Sequence, residues 1–275
     1  MRGAIFTLRS MGFNTLIKEV LRRIFGVKYC YHDVLVDSDY TFRFLRNLIS
    51  RGYDVHGFGN EVIIRTSFGE FGVDAVDMNL LGVLSESLED MYGFVNVKDA
   101  IVVDIGAYIG ETALLFLSRG ASRVYALEPV KKHYRYLLKN INRNDVVGRI
   151  IPLGYGAWFR ETTLGTSYKG TGTGLHAIVD TDASITIRVR HLGNILREIY
   201  EREGRIDLVK MDCEGCEYSL LSLSCEDIKL AKQYIMEIHG SENPIIDKMM
   251  KCGYESKLIR KMANLMTVYH FTQNI

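Results

Sequence analysis

A chain of 275 residues, 47% hydrophobic and 24% charged, has the make-up of a globular protein with a full core. Its length allows one large domain or a catalytic domain with a smaller N-terminal part. A formal net charge of +1 excludes bulk electrostatic attraction to polyanions, which makes nucleic acid an unlikely partner. No apolar run reaches the ~18 residues of a membrane span and no secretory leader pattern is present, so a cytoplasmic location is expected.

In chain order, residues 1–28 are basic, and Phe13, Leu16, Ile17, Val20, Leu21, Ile24 and Phe25 fall on one helical face. Over residues 11–26 that face either docks on the rest of the protein or makes a peripheral contact with an anionic membrane. Tyr40–Ile49 reads as a helix and Glu61–Thr66 as a strand, giving an N-terminal α+β part over residues 1–95. From residue 96 to 275, short β-branched runs alternate with helical patterns, the signature of βαβ units and a parallel sheet. The strands are expected at Ile101–Ile105, Arg123–Leu127, Arg149–Leu153, Ile185–Val189, Ile206–Met211 and Gln233–Ile238. Helices are expected over Glu111–Arg119, around Leu192–Ile199, and from Asn243-Pro244 to Gly253. Another carries Tyr134, Leu137, Leu138 and Ile141 on one apolar face. Glu255–Ile259 and Leu265–Phe271 read as a closing antiparallel hairpin. The glycine-rich stretch Glu161–Ser184 reads as a loop or loose hairpin, either a surface excursion or a substrate lid.

The five cysteines are odd in number and scattered, which predicts free thiols. Cys213 and Cys216 form a C-x-x-C, but no second pair completes a four-ligand site, so no metal is expected there.

The most informative string joins a strand to a helix through Asp104-Ile105-Gly106-Ala107-Tyr108-Ile109-Gly110-Glu111-Thr112. At a strand's C-terminal edge, such a glycine turn cradles a nucleotide-like ligand. It is not the dinucleotide fingerprint, because Tyr108 stands where the second glycine lets a pyrophosphate approach the backbone. Asp104 and Glu111 also repel phosphates, which helix N-termini otherwise attract. A phosphate-free ligand with a positive centre suits the turn, and S-adenosylmethionine is such a ligand.

Glu128, with Pro129 behind it, stands about 20 positions later at the end of the second strand, placed to accept the ribose hydroxyls. Ala157 and Trp158, past the third strand, are expected to flank the adenine. In a doubly wound sheet the fourth strand lies beside the first, so Lys210, Asp212 and Glu214 reach the methyl side. Glu237 and His239 end the next strand on the same edge. Convergent ionisable groups of this kind are what proton abstraction requires. Asp212 or His239 is the expected base, Glu214 its orienting partner and Lys210 an electrostatic one.

These strings resemble the FkbM family of methyltransferases, whose pattern couples a D-x-G-A-x-x-G-x-T turn, an E-P pair and a K-x-D-x-E-G-x-E strand end. Here they read Asp104 to Thr112, Glu128-Pro129 and Lys210 to Glu217, with Glu237-Ile238-His239 similar to the family's E-x-H. The resemblance covers roughly residues 88–275. It implies a Rossmann-like α/β class I methyltransferase fold: a mostly parallel seven-stranded sheet with an antiparallel C-terminal edge hairpin. It also implies O-methylation of small molecules, sugars or lipid-linked glycans. An RNA methyltransferase and a non-catalytic cofactor-binding protein are the alternatives. The acceptor, the oligomeric state and any metal assistance stay open.

Overall fold

The computed structural model describes residues 11–86, 88–166, 185–261 and 266–274. The chain forms two compact units, Met1–Ser87 and Leu88–Ile275.

In the first unit, helix α1 (Phe13–Phe25) is followed by strands β1 (Tyr29–Tyr31) and β2 (Val34–Val36). These pair as a hairpin turned at His32 and Asp33, both at positive φ, as a two-residue turn matching strand twist requires. Helix α2 (Asp39–Ser50) is capped by Ser38, whose hydroxyl accepts the Thr41 N–H at 3.2 Å. Strands β3 (Asp54–Phe58), β4 (Glu61–Arg65) and β5 (Glu70–Asp74) make an antiparallel meander, followed by a 3₁₀ stretch over Ala75–Ser85. Phe13, Ile17, Val20, Leu21, Ile24 and Phe25 are all exposed, while Thr15 and Glu19 are buried. Glu19 accepts from Arg22 at 2.9 Å, Arg23 at 2.7 Å and the Tyr29 hydroxyl at 3.3 Å. An ion-pair cluster around Glu19 ties this helix to Tyr29.

The second unit begins with helix α3 (Leu88–Tyr92). Strand β6 (Ile101–Ile105), helix α4 (Glu111–Ser118), strand β7 (Arg123–Leu127), helix α5 (Lys131–Arg143) and strand β8 (Ile150–Leu153) follow. Strands β9 (Gly156–Trp158), β10 (Thr162–Thr166) and β11 (Ile185–His191) form a small separate sheet, with β10 antiparallel to β11. The expected 161–184 loop therefore starts as a strand, and residues 167–184 lie outside the described residues. Then come helix α6 (Leu192–Glu203), strand β12 (Leu208–Met211), a 3₁₀ turn (Cys216–Ser222), helix α7 (Cys225–Ile228) and strand β13 (Gln233–His239). Helix α8 (Asn243–Lys251) and strands β14 (Tyr254–Lys261) and β15 (Met266–Gln273) end the chain.

The main sheet has the order β14-β15-β13-β12-β6-β7-β8. Five strands are parallel, and β15 lies antiparallel between β13 and β14. This is the Rossmann-like methyltransferase arrangement expected from the sequence. Strand β6 is buried along its whole length, which is why it reads as a continuous apolar run. The order reverses between β6 and β12, where a doubly wound sheet opens its ligand crevice.

Two local expectations fail. The buried face of α5 carries His133, Tyr136, Leu137, Asn140 and Ile141, while Leu138 is exposed. The helix is rotated from its apolar stripe because two polar side chains have partners beneath it, given below. The cysteines are also not all free: Cys213 bonds Cys216 and Cys225 bonds Cys252, leaving Cys30 as a free thiol. The turn after β12 and the packing of α8 bring each pair within bonding distance, which linear spacing does not report. Among the described residues no helix is long and apolar enough to cross a membrane.

Candidate active site

The glycine turn lies between the ends of β6, β7 and β12. Gly106 has φ +81°, and a Cβ there would sit 1.9 Å from the Asp212 carbonyl oxygen, so only glycine fits. The turn's amides are used internally. Gly106 and Ala107 donate to the Leu127 carbonyl, Tyr108 to Glu128 Oε2 at 3.0 Å, and Gly110 to the Ala107 carbonyl. Those N–H groups cannot also cradle a pyrophosphate, which is a backbone reason for a phosphate-free ligand. Tyr108 itself stands at φ 49°.

Glu128 is buried and accepts from Val130 N–H through Oε1 at 2.8 Å, with His133 Nδ1 at 3.5 Å. Its carboxylate thus ties the turn to α5 and has lone pairs left for two further hydroxyl donors. The His133 ring packs edge-on to Tyr108, centroids 4.4 Å apart. Asn140, fully buried, donates to the Ile109 carbonyl at 2.9 Å. Pro129 packs beside Gly156, where an added Cβ would meet its ring at 3.2 Å. Ala157 is buried next to it and Trp158 is half-buried against Phe159.

Asp104 is fully buried. Its Oδ2 accepts from Thr112 at 2.6 Å and its Oδ1 lies 3.1 Å from the Lys210 ammonium. Lys210 also donates to the Gly106 carbonyl at 2.9 Å and lies 3.8 Å from Asp212. Burial works against the charged amine, but Asp104, Asp212 and the buried Glu111 hold its pKa above the ordinary lysine range. The Asp104 carboxylate is therefore paired with a buried cation behind the turn.

On the other side of β12, Asp212, Glu214, Glu237 and His239 converge. Tyr92 donates to Asp212 Oδ2 at 3.3 Å. His239 Nε2 lies 3.6 Å from Glu214 and 3.5 Å from Glu237, and its Nδ1 is 3.3 Å from Glu217 Oε1. Burial disfavours the imidazolium, but the carboxylates of Glu217, Glu214 and Asp212 raise its pKa to about 9. Glu217 is fully buried and receives the Cys213 and Gly215 N–H groups at 3.0 and 2.9 Å. Glu214 (φ 57°) and Gly215 (φ 108°) make the tight turn that brings it there.

The structure thus brings Asp212, Glu214, Glu237 and His239 together at the strand ends, with Asp104, Thr112 and Lys210 linked behind the glycine turn. Sequence reasoning gave no role to Glu217, Tyr92, His133 or Asn140. Glu217 stands in the K-x-D-x-E-G-x-E string and was within reach of a motif argument. Tyr92 lies 120 positions from its partner and carries no local signal.

The methyltransferase FkbM domain model matches residues 104–256. The hexuronic acid methyltransferase AglP of Haloferax volcanii is 28% identical over 171 residues, 61% of this chain and 67% of that protein. The AMB antimetabolite synthetase AmbE of Pseudomonas aeruginosa is 28% identical over 210 residues, and the chain spans only 10% of its length. The crystal structure of methyltransferase FkbM from Methylobacillus flagellatus shares the fold at TM-score 0.50 and 18% identity, covering 86% of this chain and 56% of that one.

Proposed function

The chain belongs to the FkbM methyltransferase family, and from that premise we propose that it methylates a hydroxyl oxygen of a sugar, a lipid-linked glycan or a small molecule. S-Adenosylmethionine is the cofactor, and it supplies a methyl carbon already activated by its sulfonium leaving group. The name of the relative AglP, a hexuronic acid methyltransferase, supports a sugar acceptor. The catalytic domain in this reading is the C-terminal one, from about residue 96 onward.

The observation that carries the proposal is the convergence of Asp212, Glu214, Glu237 and His239 at the ends of β12 and β13, beside the glycine turn. Gly106, Ala107, Tyr108 and Gly110 shape the cradle, Glu128 meets the ribose, and Ala157 and Trp158 flank the adenine. Aligning acceptor and methyl is the main task, worth ~7–11 kcal/mol in well-oriented systems. A base for the hydroxyl proton adds about 10²–10⁴-fold. We assign that role to Asp212, whose side chain is 30% exposed. His239 is a weaker candidate, since Nδ1 meets Glu217 and Nε2 is enclosed. Glu214 positions the acceptor, and Lys210 holds Asp212 and the turn in register.

The test is methyl transfer from labelled cofactor to hexuronic acids, neutral sugars and glycolipids, with product linkage read by mass spectrometry. Asp212→Asn should lower kcat about 10²–10⁴-fold while the cofactor dissociation constant stays within a factor of two or so. Methylation at nitrogen, or wild-type turnover by the variant, would sink the proposal.

A further inference from the structure

Asp212, Glu237 and His239 each offer one ligating atom, and these atoms all lie within 4.8 Å of one another. Two further observations separate this group from an ordinary acidic cluster. The His239 side chain is only 10% exposed, and its Nε2 has no surface in contact with solvent and makes no hydrogen bond. Its other nitrogen, Nδ1, lies 3.3 Å from Glu217 Oε1. Glu217 in turn accepts two backbone N–H groups, one through each oxygen. Nδ1 thus faces a carboxylate behind the ring, and Nε2 faces the site, 3.5 Å from Glu237 and 3.6 Å from Glu214. A histidine oriented by a carboxylate behind it is the arrangement metal sites use to fix tautomer and ring direction.

We propose that Asp212, Glu237 and His239 bind a divalent first-row metal ion, with Glu217 as the positioning residue behind the histidine. The spacing suits such an ion. Bonds of about 2.0–2.2 Å place neighbouring ligand atoms about 3–3.5 Å apart, and His239 Nε2 lies 3.5 Å from Glu237 Oε1. Two carboxylates with one imidazole favour the manganese-to-zinc series over calcium or magnesium, which prefer oxygen-only shells. Three protein ligands leave positions open for an acceptor oxygen, as in catalytic metal sites. An ion held there would acidify an acceptor hydroxyl, with Asp212 beside it to take the proton. The inference deepens the proposed function and rests on it for the acceptor's position, but not for the binding itself.

The experiment titrates the purified full-length protein with Mn²⁺ and follows the free ion by electron paramagnetic resonance. One tightly bound ion per chain is expected. His239→Ala and Glu237→Gln should abolish binding, and Glu217→Gln should weaken it about 10–100-fold while circular dichroism shows an intact fold. No Mn²⁺ binding by the wild type, or binding unchanged in all three variants, overturns the site. Full methyl transfer after chelation, with no ion bound, overturns the ion's part in the reaction and leaves the proposed function standing. Ion binding as expected without methyl transfer to any hydroxyl acceptor supports the site and removes the proposed function instead.

Discussion

The Lys210 ammonium lies 3.1 Å from the Asp104 carboxylate, both fully buried, and the pair joins two strands that are 106 positions apart in sequence. Strand register sets Lys210 directly opposite Asp104, so the ion pair follows from the pairing of β6 with β12. The same ammonium holds the Gly106 carbonyl, which makes the glycine turn depend on a charge on the neighbouring strand.

Lys210→Met should therefore destabilise strongly, because it strands a buried carboxylate without its counter-charge. A loss of about 3–5 kcal/mol is expected, as for other buried pairs cut on one side. The Lys210→Met/Asp104→Asn double variant should regain a large part of it. Urea unfolding of the singles and the double measures this, and singles that each cost less than about 1 kcal/mol would contradict the account.

Glu128→Ala should weaken S-adenosylmethionine binding about tenfold to a hundredfold, since a charged hydrogen-bond acceptor typically contributes about 1.5–3 kcal/mol. It also releases the Tyr108 and Val130 amides, so the turn itself loosens. Calorimetry with the cofactor gives the shift, and an unchanged constant would mean that the ribose is held elsewhere. Wild-type protein should not bind NAD comparably, because the turn's amides are already engaged.

The two disulfides should differ in their effect on stability. The bond between Cys225 and Cys252 spans 27 positions, against 3 for Cys213 and Cys216. Chain entropy then gives about 3.5 kcal/mol for the long loop and about 2 kcal/mol for the short one. Thermal unfolding of Cys225→Ala/Cys252→Ala and Cys213→Ala/Cys216→Ala, compared with a dithiothreitol-treated sample, orders the two. A larger loss from the short loop would reverse the argument.

Asp207 should make stability pH-dependent on the acid side. Burial alone would raise its pKa, but hydrogen bonds from Lys232 at 2.7 Å and the Ile101 N–H at 2.9 Å, with Arg205 nearby, hold it below the usual carboxylate range. A depressed folded-state pKa contributes stability that is full above the unfolded value and disappears as pH falls through the folded one. Asp207→Asn should accordingly lower Tm at neutral pH and converge with the wild type in acid. Parallel Tm curves from pH 7 to pH 3 would show that the carboxylate is not linked to folding.

Much of the catalytic unit was legible in the residues. The strands β6 and β7 fall where their β-branched runs end, because buried parallel strands need apolar side chains on both faces. Gly106 and Gly110 mark positions of positive φ, and Pro129 marks the end of a ladder. Such signals are local, arising from one residue's own dihedral or hydropathy, so the glycine turn and the ends of β7 and β12 could be read in order.

What only the tertiary structure decided are partnerships between residues far apart in the chain. The face that α5 buries is set by His133 reaching Glu128 and Asn140 reaching the Ile109 carbonyl, against the helix's own apolar stripe. Helix α1 likewise buries Glu19 with its arginines and leaves its phenylalanines exposed. Asp104 reads as an open charge at the cofactor until Lys210 neutralises it, and His239 reads as a free base until Glu217 takes its Nδ1. A polar side chain's energy depends on which partner closes its hydrogen bonds once water is gone. Hydrophobic periodicity carries no record of that partner, and only the folded chain supplies it.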